Sequence, residues 1–468
     1  MTEPPHHARD SAFDAIVIGA GVVGCAVARK LVLEGASVLV VEKAADILEG
    51  ASKGNSALLH TGFDAPPDSV ELAAIRDGYR EFLALREHLS LPMLESGALV
   101  VAWNDDEAGR PESILAGAHA NGIADARLVE PAEVKAMEPE LADGAAGAVY
   151  VPGESIIDPW STPYAYLLQA LVNGARLVRD CEVTGGEHTA DGWRLRTTRG
   201  TFTGACVINC SGLYGDIVNR RLIGEALFTI RPRKGQFVVF DKSAGKLAGA
   251  IILPVPTEIT KGVVVTRTIF GNLLVGPTAE EQDSRDDASV DTATLEALMR
   301  RGAAILPALA CHPVTATYAG IRPATESKAY HIDARSEPPL ISVGGIRSTG
   351  LSAALGIANH VHRHYRDLGP HREPLDEPIW PRVPTISEYG ERDWQKPGNG
   401  GIVCHCELVT RREIERALDG PLAAAGLGGL KRRTRATMGR CRGFYCSARL
   451  AEITAGRLEV PLATDIGR

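Results

Sequence analysis

A glycine-rich turn between two apolar segments constrains the fold of this chain more than any other feature. The segment Phe13–Ile18 (FDAIVI) is apolar and rich in β-branched residues, as is typical of a buried strand. The pattern predicts a helix over Val22–Leu33 and a second buried strand over residues 37–42 (SVLVVE). A strand, a glycine turn, a helix and a strand form one βαβ unit of a parallel sheet.

The turn itself, GAGVVG, has the spacing of a dinucleotide-binding site. In G-x-G-x-x-G, Gly19 permits a tight turn, Gly21 lets the backbone approach a pyrophosphate, and Gly24 lets the helix pack on the strand. The helix N-terminus offers unpaired N–H groups to the phosphates. Glu42 ends the second strand and can accept hydrogen bonds from ribose hydroxyls, which favours FAD or NAD with an unphosphorylated ribose. A tight turn without a ligand is the alternative.

Length and composition predict a soluble α/β protein of two or three compact units. The chain has 468 residues, of which 45% are hydrophobic and 23% charged, and it contains 49 glycines. A net charge of −8 gives no reason to expect a nucleic-acid partner. The polar start lacks the apolar region of a secretory signal, and no stretch reaches the roughly 18 apolar residues of a membrane span. We therefore expect a cytoplasmic protein, with attachment to the inner face of the cell membrane through a partner left open.

The rest of the chain suggests an insertion followed by a tail. Runs such as GALVVAW, GKLAGAIILPV and KGVVVTRTIFGNLLVGP have hairpin spacing and predict a mixed or antiparallel sheet inserted into the nucleotide-binding domain. The chain returns to that domain at CVINCSGLYGD and ISVGGIRSTGLSAALGIA. We predict nucleotide-binding segments at about 12–85, 175–220 and 340–365, a substrate domain at about 86–174 and 221–339, a Pro-rich linker or wrapping arm at 366–400, and a small cysteine-bearing module at 401–468.

Several segments resemble one family of flavoproteins. The run GASKGNSALLHTGFDA, together with TKGVVVTRTIFGNLLVGPTAE, YAGIRPAT and VGGIRSTGLSAALGIA, is similar to the D-amino-acid-oxidase-like superfamily, within it to the FAD-dependent glycerol-3-phosphate dehydrogenases and L-2-hydroxyglutarate oxidases. The resemblance covers about residues 12–365 and implies a Rossmann-like FAD-binding domain. The positions that it implies for the cofactor are Gly19, Gly21, Gly24, Glu42, Ser52, Asn55, Ser56, Val183, Gly212, Gly345, Gly350 and Leu351.

The same resemblance implies a substrate site over the flavin ring. Alcohol oxidation needs a base for the hydroxyl proton, and His60 is the candidate because imidazole titrates near neutrality. Arg322 matches an anion-binding arginine, whose planar fork suits a carboxylate or phosphate. Lys261 and Ser348 match positions near the substrate. The alternatives are a histidine that only hydrogen-bonds the cofactor, an arginine in a structural ion pair, and a solvated lysine.

The sequence departs from the glycerol-3-phosphate enzymes around Ser348. An acidic residue and a proline are usual there, whereas this chain has Arg347-Ser348-Thr349. A further cation beside the pocket would suit a more anionic substrate, such as a hydroxy-dicarboxylate or a sugar-acid derivative; otherwise Arg347 points to solvent. An anionic α-hydroxy substrate is the expectation in either case.

Four late cysteines predict a metal-binding module. Cys404 and Cys406 form C-x-C, and after 34 residues Cys441 and Cys446 form C-x4-C. Four thiolates suit Zn²⁺ or the two irons of a [2Fe–2S] cluster. The segments VCHCELVTRREI and KRRTRATMGRCRGFYCSARL resemble the bacterioferritin-associated-ferredoxin-like module found in anaerobic glycerol-3-phosphate dehydrogenase large subunits and in opine-oxidising enzymes, which implies [2Fe–2S]. Zinc, or thiols without a metal, are the alternatives.

Local signals complete the picture of this module. An S/T-x-x-E capping box at Thr410 and Glu413 predicts a helix just after the first thiol pair, and a second helix should open at Cys446. The basic run KRRTR at 431–435 is either a solvated face or a surface that stabilises a reduced cluster or docks an acidic partner. The unpaired cysteines are expected to be core residues: Cys25, Cys181, Cys206, Cys210 and Cys311.

Together these features predict a dehydrogenase that uses FAD and [2Fe–2S] to oxidise a small anionic hydroxy compound, with a glycerol-3-phosphate-type substrate favoured. Electrons would leave through the cluster, since flavin receives two electrons and a [2Fe–2S] centre accepts one. The acceptor would be a quinone, a partner subunit or a soluble carrier. The alternatives are an L-2-hydroxy acid dehydrogenase or oxidase, an amine- or opine-oxidising enzyme, and a redox-sensing or electron-transfer subunit without a substrate.

Overall fold

The computed structural model describes residues 12–256 and 262–462. Lys261, one of the predicted substrate contacts, lies outside the described residues. The strands are β1 (Phe13–Ile18), β2 (Val38–Val41), β3 (Leu58–Leu59), β4 (Met93–Glu95), β5 (Ala98–Ala102), β6 (Arg127–Val129), β7 (Gly147–Val151), β8 (Ser155–Ile157), β9 (Arg176–Val178), β10 (Val183–Thr189), β11 (Gly192–Thr197), β12 (Gly200–Asn209), β13 (Ile230–Phe240), β14 (Ile251–Pro254), β15 (Val264–Arg267), β16 (Leu273–Gly276), β17 (Glu280–Glu281), β18 (Val314–Thr325), β19 (His331–Ser336), β20 (Pro339–Gly344), β21 (Ile402–Cys404) and β22 (Val409–Thr410). The helices are α1 (Val22–Leu33), α2 (Val70–Leu89), α3 (Asp105–Ala108), α4 (Arg110–Ala120), α5 (Pro131–Met137), α6 (Ser161–Val172), α7 (Gly215–Ile223), α8 (Thr292–Ile305), α9 (Gly350–Leu368), α10 (Arg411–Ala417), α11 (Leu427–Thr434) and α12 (Ser447–Thr454).

The first sheet has a parallel centre of five strands in the order β20-β12-β1-β2-β9. In this register Ala15 of β1 lies between Cys206 and Val38. The β10–β11 hairpin pairs antiparallel with the first half of β12, and β19 pairs antiparallel with β20. The predicted βαβ unit is confirmed, because β1 and α1 have the predicted bounds and β2 lies within the predicted strand.

Four helices form one apolar core with this sheet: α1, α2, α6 and α9. The closest approach is between α2 and α9, where a Cβ added at Gly356 would meet the Ala74 carbonyl oxygen at 2.0 Å. A glycine in a helix interior lowers helix stability, and here it permits this close packing. The contact fixes α9, whose N-terminus opens directly after the loop that follows β20.

The second sheet has the order β17-β13-β16-β15-β14-β5-β7-β6, with β18 on the other edge of β13. Its pairs are antiparallel except for β14 with β5, which is parallel. The three apolar runs that predicted a mixed or antiparallel sheet contribute β5, β14, β15 and β16. This α/β class with a mixed second sheet is the one that the sequence predicts. The numerical domain boundaries stay a prediction.

The Pro-rich segment is an arm that runs over both sheets. Residues 370–392 contain no helix or strand. Backbone N–H groups along the arm donate to the protein surface: Leu375 to the Leu33 carbonyl at 2.9 Å, Val383 to Leu89 at 3.1 Å, and Glu388 to Ile269 at 3.0 Å. The arm therefore wraps from the first sheet's helices to the second sheet, as prolines that fix φ favour.

The C-terminal module combines the β21–β22 hairpin with α10, α11 and α12 around its own small core. The predicted capping box is present: the Thr410 hydroxyl accepts from the Glu413 N–H at 3.1 Å, and the Glu413 carboxylate accepts from the Thr410 N–H at 2.8 Å. The helix predicted at Cys446 is α12, with Cys446 as its N-cap. Across the described ranges, no helix is long and apolar enough to span a membrane.

Candidate functional site

A cavity of about 310 Å³ runs along the carboxyl ends of the parallel strands of the first sheet. Ligands of α/β proteins bind at this edge of the sheet. The structure brings most of the predicted cofactor positions together in its wall: Gly19, Gly21, Glu42, Ser52, Asn55, Ser56, Val183, Gly212, Gly345, Gly350 and Leu351. Arg322 and Ser348 also line it, whereas Gly24 and His60 do not.

The glycine turn leaves no room for side chains. Gly19 has φ +101°, and a Cβ there would lie 2.7 Å from the Cys210 carbonyl oxygen. At Gly24 a Cβ would meet the Gly19 carbonyl oxygen at 1.9 Å, so this glycine packs α1 against the turn behind the cavity. The Ser52 hydroxyl accepts from the Val22 N–H at 3.0 Å and ties the cavity wall to the N-terminus of α1.

Glu42 is fixed at the end of β2 by backbone donors. Its carboxylate accepts from the Ala20 N–H at 2.7 Å and from the Ala44 N–H at 2.9 Å. Burial raises the pKa of Glu42, and these two hydrogen bonds oppose that shift. The carboxylate is thereby held beside the glycine turn, where a ribose would lie next to a pyrophosphate.

The loop around Asn55 joins the two sheets at the cavity. The Asn55 side chain donates to the Ser52 carbonyl at 3.0 Å and accepts from the Ala57 N–H at 2.7 Å. The Tyr318 hydroxyl of β18 donates to the Asn55 carbonyl at 2.7 Å. The wall therefore consists largely of backbone held in fixed positions, which suits a large, rigid cofactor.

Arg322 is a cation in the cavity wall. Its Nη2 donates to the Thr278 carbonyl oxygen at 2.8 Å, and within the described ranges no carboxylate lies at ion-pair distance from its guanidinium. Burial, and then the nearby Arg233 charge, lower the pKa of Arg322 to about 10, so the side chain remains charged at neutral pH. A half-buried cation in a cavity wall can bind an anionic group.

Arg347 and Ser348 are placed differently. Ser348 is an exposed residue in the cavity wall. Arg347 also lines the cavity, yet its Nη2 donates to the Lys328 carbonyl at 2.6 Å and contacts the Glu71 carboxylate at 3.5 Å. The Thr349 hydroxyl donates to the other Glu71 oxygen at 2.6 Å. Glu71 therefore offsets the charge of Arg347.

His60 follows β3 and pairs with a carboxylate that the sequence reasoning missed. Its ring atom Nδ1 lies 2.8 Å from Glu154 Oε2, and its backbone N–H donates to the Ser352 hydroxyl at 2.8 Å. Glu154 is completely buried and also accepts from the Thr61 N–H at 2.6 Å and the Thr61 hydroxyl at 2.8 Å. The only sequence signal was an acid inside the apolar stretch YVPGESII. Ser352 follows Gly350 and Leu351 of the wall, which places His60 behind them.

The four late cysteines meet as two pairs. Side-chain hydrogen bonds join Cys404 to Cys446 and Cys406 to Cys441, and electrostatic interactions also link Cys404 with Cys406 and Cys441 with Cys446. The first pair is buried and the second is partly exposed. Backbone N–H groups, that of Tyr445 first, lower the pKa of the Cys441 thiol. Two pairs of thiols, one receiving backbone donors, suit two irons with two thiolates each. Within residues 12–256 and 262–462, no group of three or more His, Cys, Asp or Glu side chains is arranged to hold a metal ion.

The other cysteines match their predicted role with one exception. Cys25, Cys181, Cys206 and Cys210 are buried, and burial raises the pKa of Cys206 and of Cys210 to about 12. Cys311 is exposed, so the prediction that it is a core residue is wrong. It ends a short 3₁₀ turn after α8, where Leu309 is the residue that enters the core.

The basic run is not a solvated face. Arg433 forms a two-pronged ion pair with Asp46, at 2.7 and 3.0 Å, and Arg432 donates to the Ile47 carbonyl at 2.9 Å and to Glu49. Burial opposes ionisation of Asp46, yet the Arg433 charge keeps its pKa below the usual value. These arginines therefore dock the module onto the loop that leads to the cavity wall at Glu49 and Gly50.

Comparison with known families decides the class. Residues 14–363 match DAO, the FAD dependent oxidoreductase family. The chain belongs to this family. Residues 402–455 of this FAD-dependent oxidoreductase match the BFD-like [2Fe-2S] binding domain. The two predicted cofactors, FAD and a [2Fe–2S] cluster, are confirmed by these matches, and the zinc alternative has no support from them.

Several relatives of this oxidoreductase have names that refer to glycerol 3-phosphate. It is 32% identical to the glycerol 3-phosphate dehydrogenase of Caloramator mitchellensis over 96% of this chain and 95% of the relative. It is 26% identical to one of the subunits of the anaerobic glycerol-3-phosphate dehydrogenase of Escherichia coli strain K12, over 95% of this chain and 88% of the relative. The L-alpha-glycerophosphate oxidase of Mycoplasma pneumoniae, solved with FAD bound, has a TM-score of 0.75 and 25% identity, and 80% of this chain covers 100% of it.

Proposed function

We propose that this enzyme oxidises the secondary hydroxyl of glycerol 3-phosphate, or of a closely related polyol phosphate, to a ketone. The names of the relatives that match nearly the whole chain support this substrate. Bound FAD supplies the hydride acceptor, and the [2Fe–2S] cluster accepts the electrons one at a time.

The position of Arg322 in the cavity wall is the main support for this proposal. A guanidinium that lines the cavity and has no carboxylate partner in the described part of the chain can bind a phosphate through two parallel hydrogen bonds. It would anchor the substrate by its anionic end. Arg322 can bind one phosphate, whereas the two carboxylates of a hydroxy-dicarboxylate would also call on Arg347, whose charge Glu71 already offsets.

His60 is the proposed base for the substrate hydroxyl. In the neutral ring, a proton on Nδ1 shared with Glu154 would leave Nε2 as the ring nitrogen that takes up a proton. Three donors hold the Glu154 carboxylate in one orientation, so the ring of His60 is oriented as well. His60 lies behind the cavity wall. The substrate must therefore extend toward His60 for its hydroxyl to reach the ring.

The C-terminal module favours a dehydrogenase over an oxidase. The full length of the Mycoplasma pneumoniae oxidase is matched by 80% of this chain, so that oxidase has no counterpart for the remaining fifth. A cluster that accepts single electrons gives them a way out other than O₂. We infer that the physiological acceptor is a quinone or an electron-carrying protein, met in the cytoplasm or at the inner face of the membrane.

A second candidate is oxidation of an L-2-hydroxy acid. The L-2-hydroxyglutarate dehydrogenase of Indibacter alkaliphilus is 28% identical over 57% of this chain and 68% of its own length. Arg347 in the cavity wall would serve the second carboxylate if that group displaced Glu71. Amine oxidation has only fold-level support, from glycine oxidase of Geobacillus kaustophilus at 22% identity and a TM-score of 0.68.

The test is anaerobic titration of the holoenzyme with glycerol 3-phosphate, L-2-hydroxyglutarate, proline and sarcosine, with flavin absorbance as the readout. Glycerol 3-phosphate should bleach the flavin, and Arg322→Gln should raise its half-saturating concentration about a hundredfold through loss of a charged bidentate contact. Arg233→Gln, a partly exposed neighbour, is the matched control. A flavin that none of these compounds reduces, or an Arg322→Gln enzyme with unchanged saturation, would contradict the proposal.

A further inference from the structure

We propose that Trp160 and Phe270 form the route by which electrons pass from the flavin cavity to the cluster module. The proposal rests on the two cofactors, and it adds the residues that join their sites. Three contacts of these two side chains connect the cavity wall to Arg435, and a fourth contact joins Arg435 to Glu407, the residue beside a cluster cysteine.

At the cavity end the route starts in the wall itself. Pro159 and Lys53 both line the cavity. The indole N–H of Trp160 donates to the Lys53 carbonyl oxygen at 3.2 Å. Trp160 is therefore joined to the wall twice, by the chain through Pro159 and by this hydrogen bond.

In the middle, two aromatic rings are stacked. The rings of Trp160 and Phe270 have centroids 5.4 Å apart and an interplanar angle of 17°. Phe270 is buried, and both side chains belong to one apolar cluster beneath the Pro-rich arm, with Ile386 from the arm among its members. This packing leaves the two rings in a fixed offset arrangement.

At the module end a charged pair continues the contacts. The Arg435 guanidinium lies 4.1 Å above the Phe270 ring. Its Nε donates to the Glu407 carboxylate at 2.8 Å, and both side chains are almost fully buried. Glu407 follows Cys406 in the sequence. The series Lys53, Trp160, Phe270, Arg435 and Glu407 thus reaches a cluster cysteine without a gap.

Electron tunnelling becomes slower with distance and faster through packed atoms than across a gap, so an unbroken series of contacts is the favoured path. Each substrate molecule gives up two electrons, and the cluster accepts one at a time, so an external one-electron acceptor must oxidise the cluster twice per turnover. Arg432 also reaches the cavity wall, through Glu49, and Arg433 pairs with Asp46, but neither ion pair includes a residue adjacent in sequence to a cluster cysteine. They hold the module in place.

The experiment separates flavin reduction from cluster reduction in the holoenzyme. After anaerobic mixing with glycerol 3-phosphate, stopped-flow absorbance follows the flavin and freeze-quench EPR follows the reduced cluster. Trp160→Leu and Phe270→Leu should leave the rate of flavin reduction within about twofold of the wild-type rate. They should slow cluster reduction about tenfold. Trp160→Phe should restore most of the rate because it keeps an aromatic ring on Phe270. Trp380→Leu in the arm is the matched control.

Bound flavin, iron content and the melting temperature are measured for every variant, so that a loss of folding is not mistaken for a slower transfer. Unchanged cluster reduction in both leucine variants would overturn the route. If no substrate reduces the flavin, the proposed substrate fails while the route is still tested, because flash photoreduction with deazaflavin then supplies the electron and the same variants are compared.

A second, independent observation concerns the outer side of the cluster. Phe444 and Tyr445 lie between Cys441 and Cys446, are 82% and 75% exposed, and meet edge to face at 5.2 Å. They are the most exposed large hydrophobic side chains of the described residues. We infer that they form the docking surface of an acidic electron-carrier protein.

Charge argues for this partner. The exposed residues Arg440, Arg442 and Arg449 flank the aromatic pair in the sequence, which has no Asp or Glu between Asp419 and Glu452. Asp241 pairs with Arg440 and Glu452 with Arg449, which leaves Arg442 without an ion pair in the described part of the chain. Aromatic anchors with a rim of arginines are typical of protein interfaces. Cys406 and Cys441 are the two partly exposed cluster cysteines, and Cys441 lies three residues before Phe444.

The test uses acidic plastocyanin and basic cytochrome c as probes, each accepting one electron from the substrate-reduced holoenzyme. Plastocyanin should be reduced faster, with a rate that falls as salt rises, and Arg442→Glu should slow it about tenfold while dye reduction is unchanged. Phe444→Ser with Tyr445→Ser should slow it as well. Arg194→Glu, on the β10–β11 hairpin, is the matched charge reversal.

Equal rates with both probes, or an Arg442→Glu enzyme with the wild-type plastocyanin rate, would overturn the surface. Sedimentation with anionic phospholipid vesicles that depends on Phe444 and Tyr445 would also overturn it, because it would make the surface a membrane contact. Unchanged dye reduction shows that the substrate half of the reaction is intact, so failure of docking is distinct from failure of the proposed function.

Discussion

The flavin cavity and the docking of the cluster module are built from different interactions. The cavity wall contains nine glycines, among them two of the glycine turn, and is set on an apolar core in which Ala15 and Val17 are fully buried. The module is held to the rest of the chain by two buried or half-buried ion pairs, Arg433 with Asp46 and Arg432 with Glu49, and by a third in which the exposed Arg440 meets the buried Asp241. The cavity should therefore be sensitive to added volume, and the docked module to removed charge.

The largest effect should come from adding volume at the glycine turn. In Gly24→Val the new Cβ would meet the Gly19 carbonyl oxygen, which must move, so we expect purified protein without flavin. Flavin absorbance per protein measures this. Gly50→Ala is the matched control, because Gly50 lines the same cavity and a Cβ there meets nothing within 4 Å. Normal flavin content in Gly24→Val would contradict the expected sensitivity of the cavity to added volume.

Removing one charge at the docking site should be the next largest effect. Asp46→Asn leaves Arg433 buried without its partner, a change that typically costs about 3–5 kcal/mol. The denaturant midpoint of the transition seen by cluster absorbance should fall, while flavin reduction by substrate persists. Asp77→Asn, which breaks the exposed pair with Arg80, should cost about 0–1 kcal/mol. Equal effects of the two substitutions would show that charge does not hold the module.

A smaller effect is expected at the buried carboxylate behind the cavity. Glu154→Gln keeps the volume but removes the charge that orients His60, so flavin reduction should slow by about a hundredfold, the lower range for a general base. Thr61→Val removes one hydrogen bond to Glu154 and should cost far less. Stopped-flow reduction at several pH values is the measurement, with flavin content as the folding control. A wild-type rate in Glu154→Gln would remove His60 from its proposed role.

The smallest effect is the response of the docked module to acid. The folded pKa of Asp46 is lowered, so its contribution to stability is present above the unfolded value of about 3.9 and is lost as pH falls through the folded pKa. The groups facing it are Arg433, Arg432, Arg179 and Tyr164. We expect the cluster-monitored midpoint to fall below about pH 4 and Asp46→Asn to be less sensitive there. Identical acid profiles would contradict this.

Features with a local cause could be predicted from the sequence. The glycine pattern fixed both ends of α1, and the capping box placed the start of α10, because each depends on residues within one turn. The four cysteines were found by their spacing. Arg432 and Glu49 could not be paired in advance, since 383 residues separate them and the run looks like a solvated face in isolation. Glu154 belongs to no motif or regular spacing that could have marked it as a partner of His60. Nothing in the sequence around Cys311 indicated that this cysteine is exposed.

The proposed function requires electrons to enter through FAD and to leave through the cluster. Anaerobic addition of an excess of glycerol 3-phosphate, enough to supply the three electrons that a fully reduced flavin and a reduced cluster hold together, followed by flavin absorbance and EPR of the same sample, tests this directly. We expect a bleached flavin together with the signal of a reduced [2Fe–2S] cluster, with slow reoxidation by O₂ and fast reoxidation by a dye. A bleached flavin beside a cluster that stays oxidised, with rapid reoxidation by O₂, would contradict it.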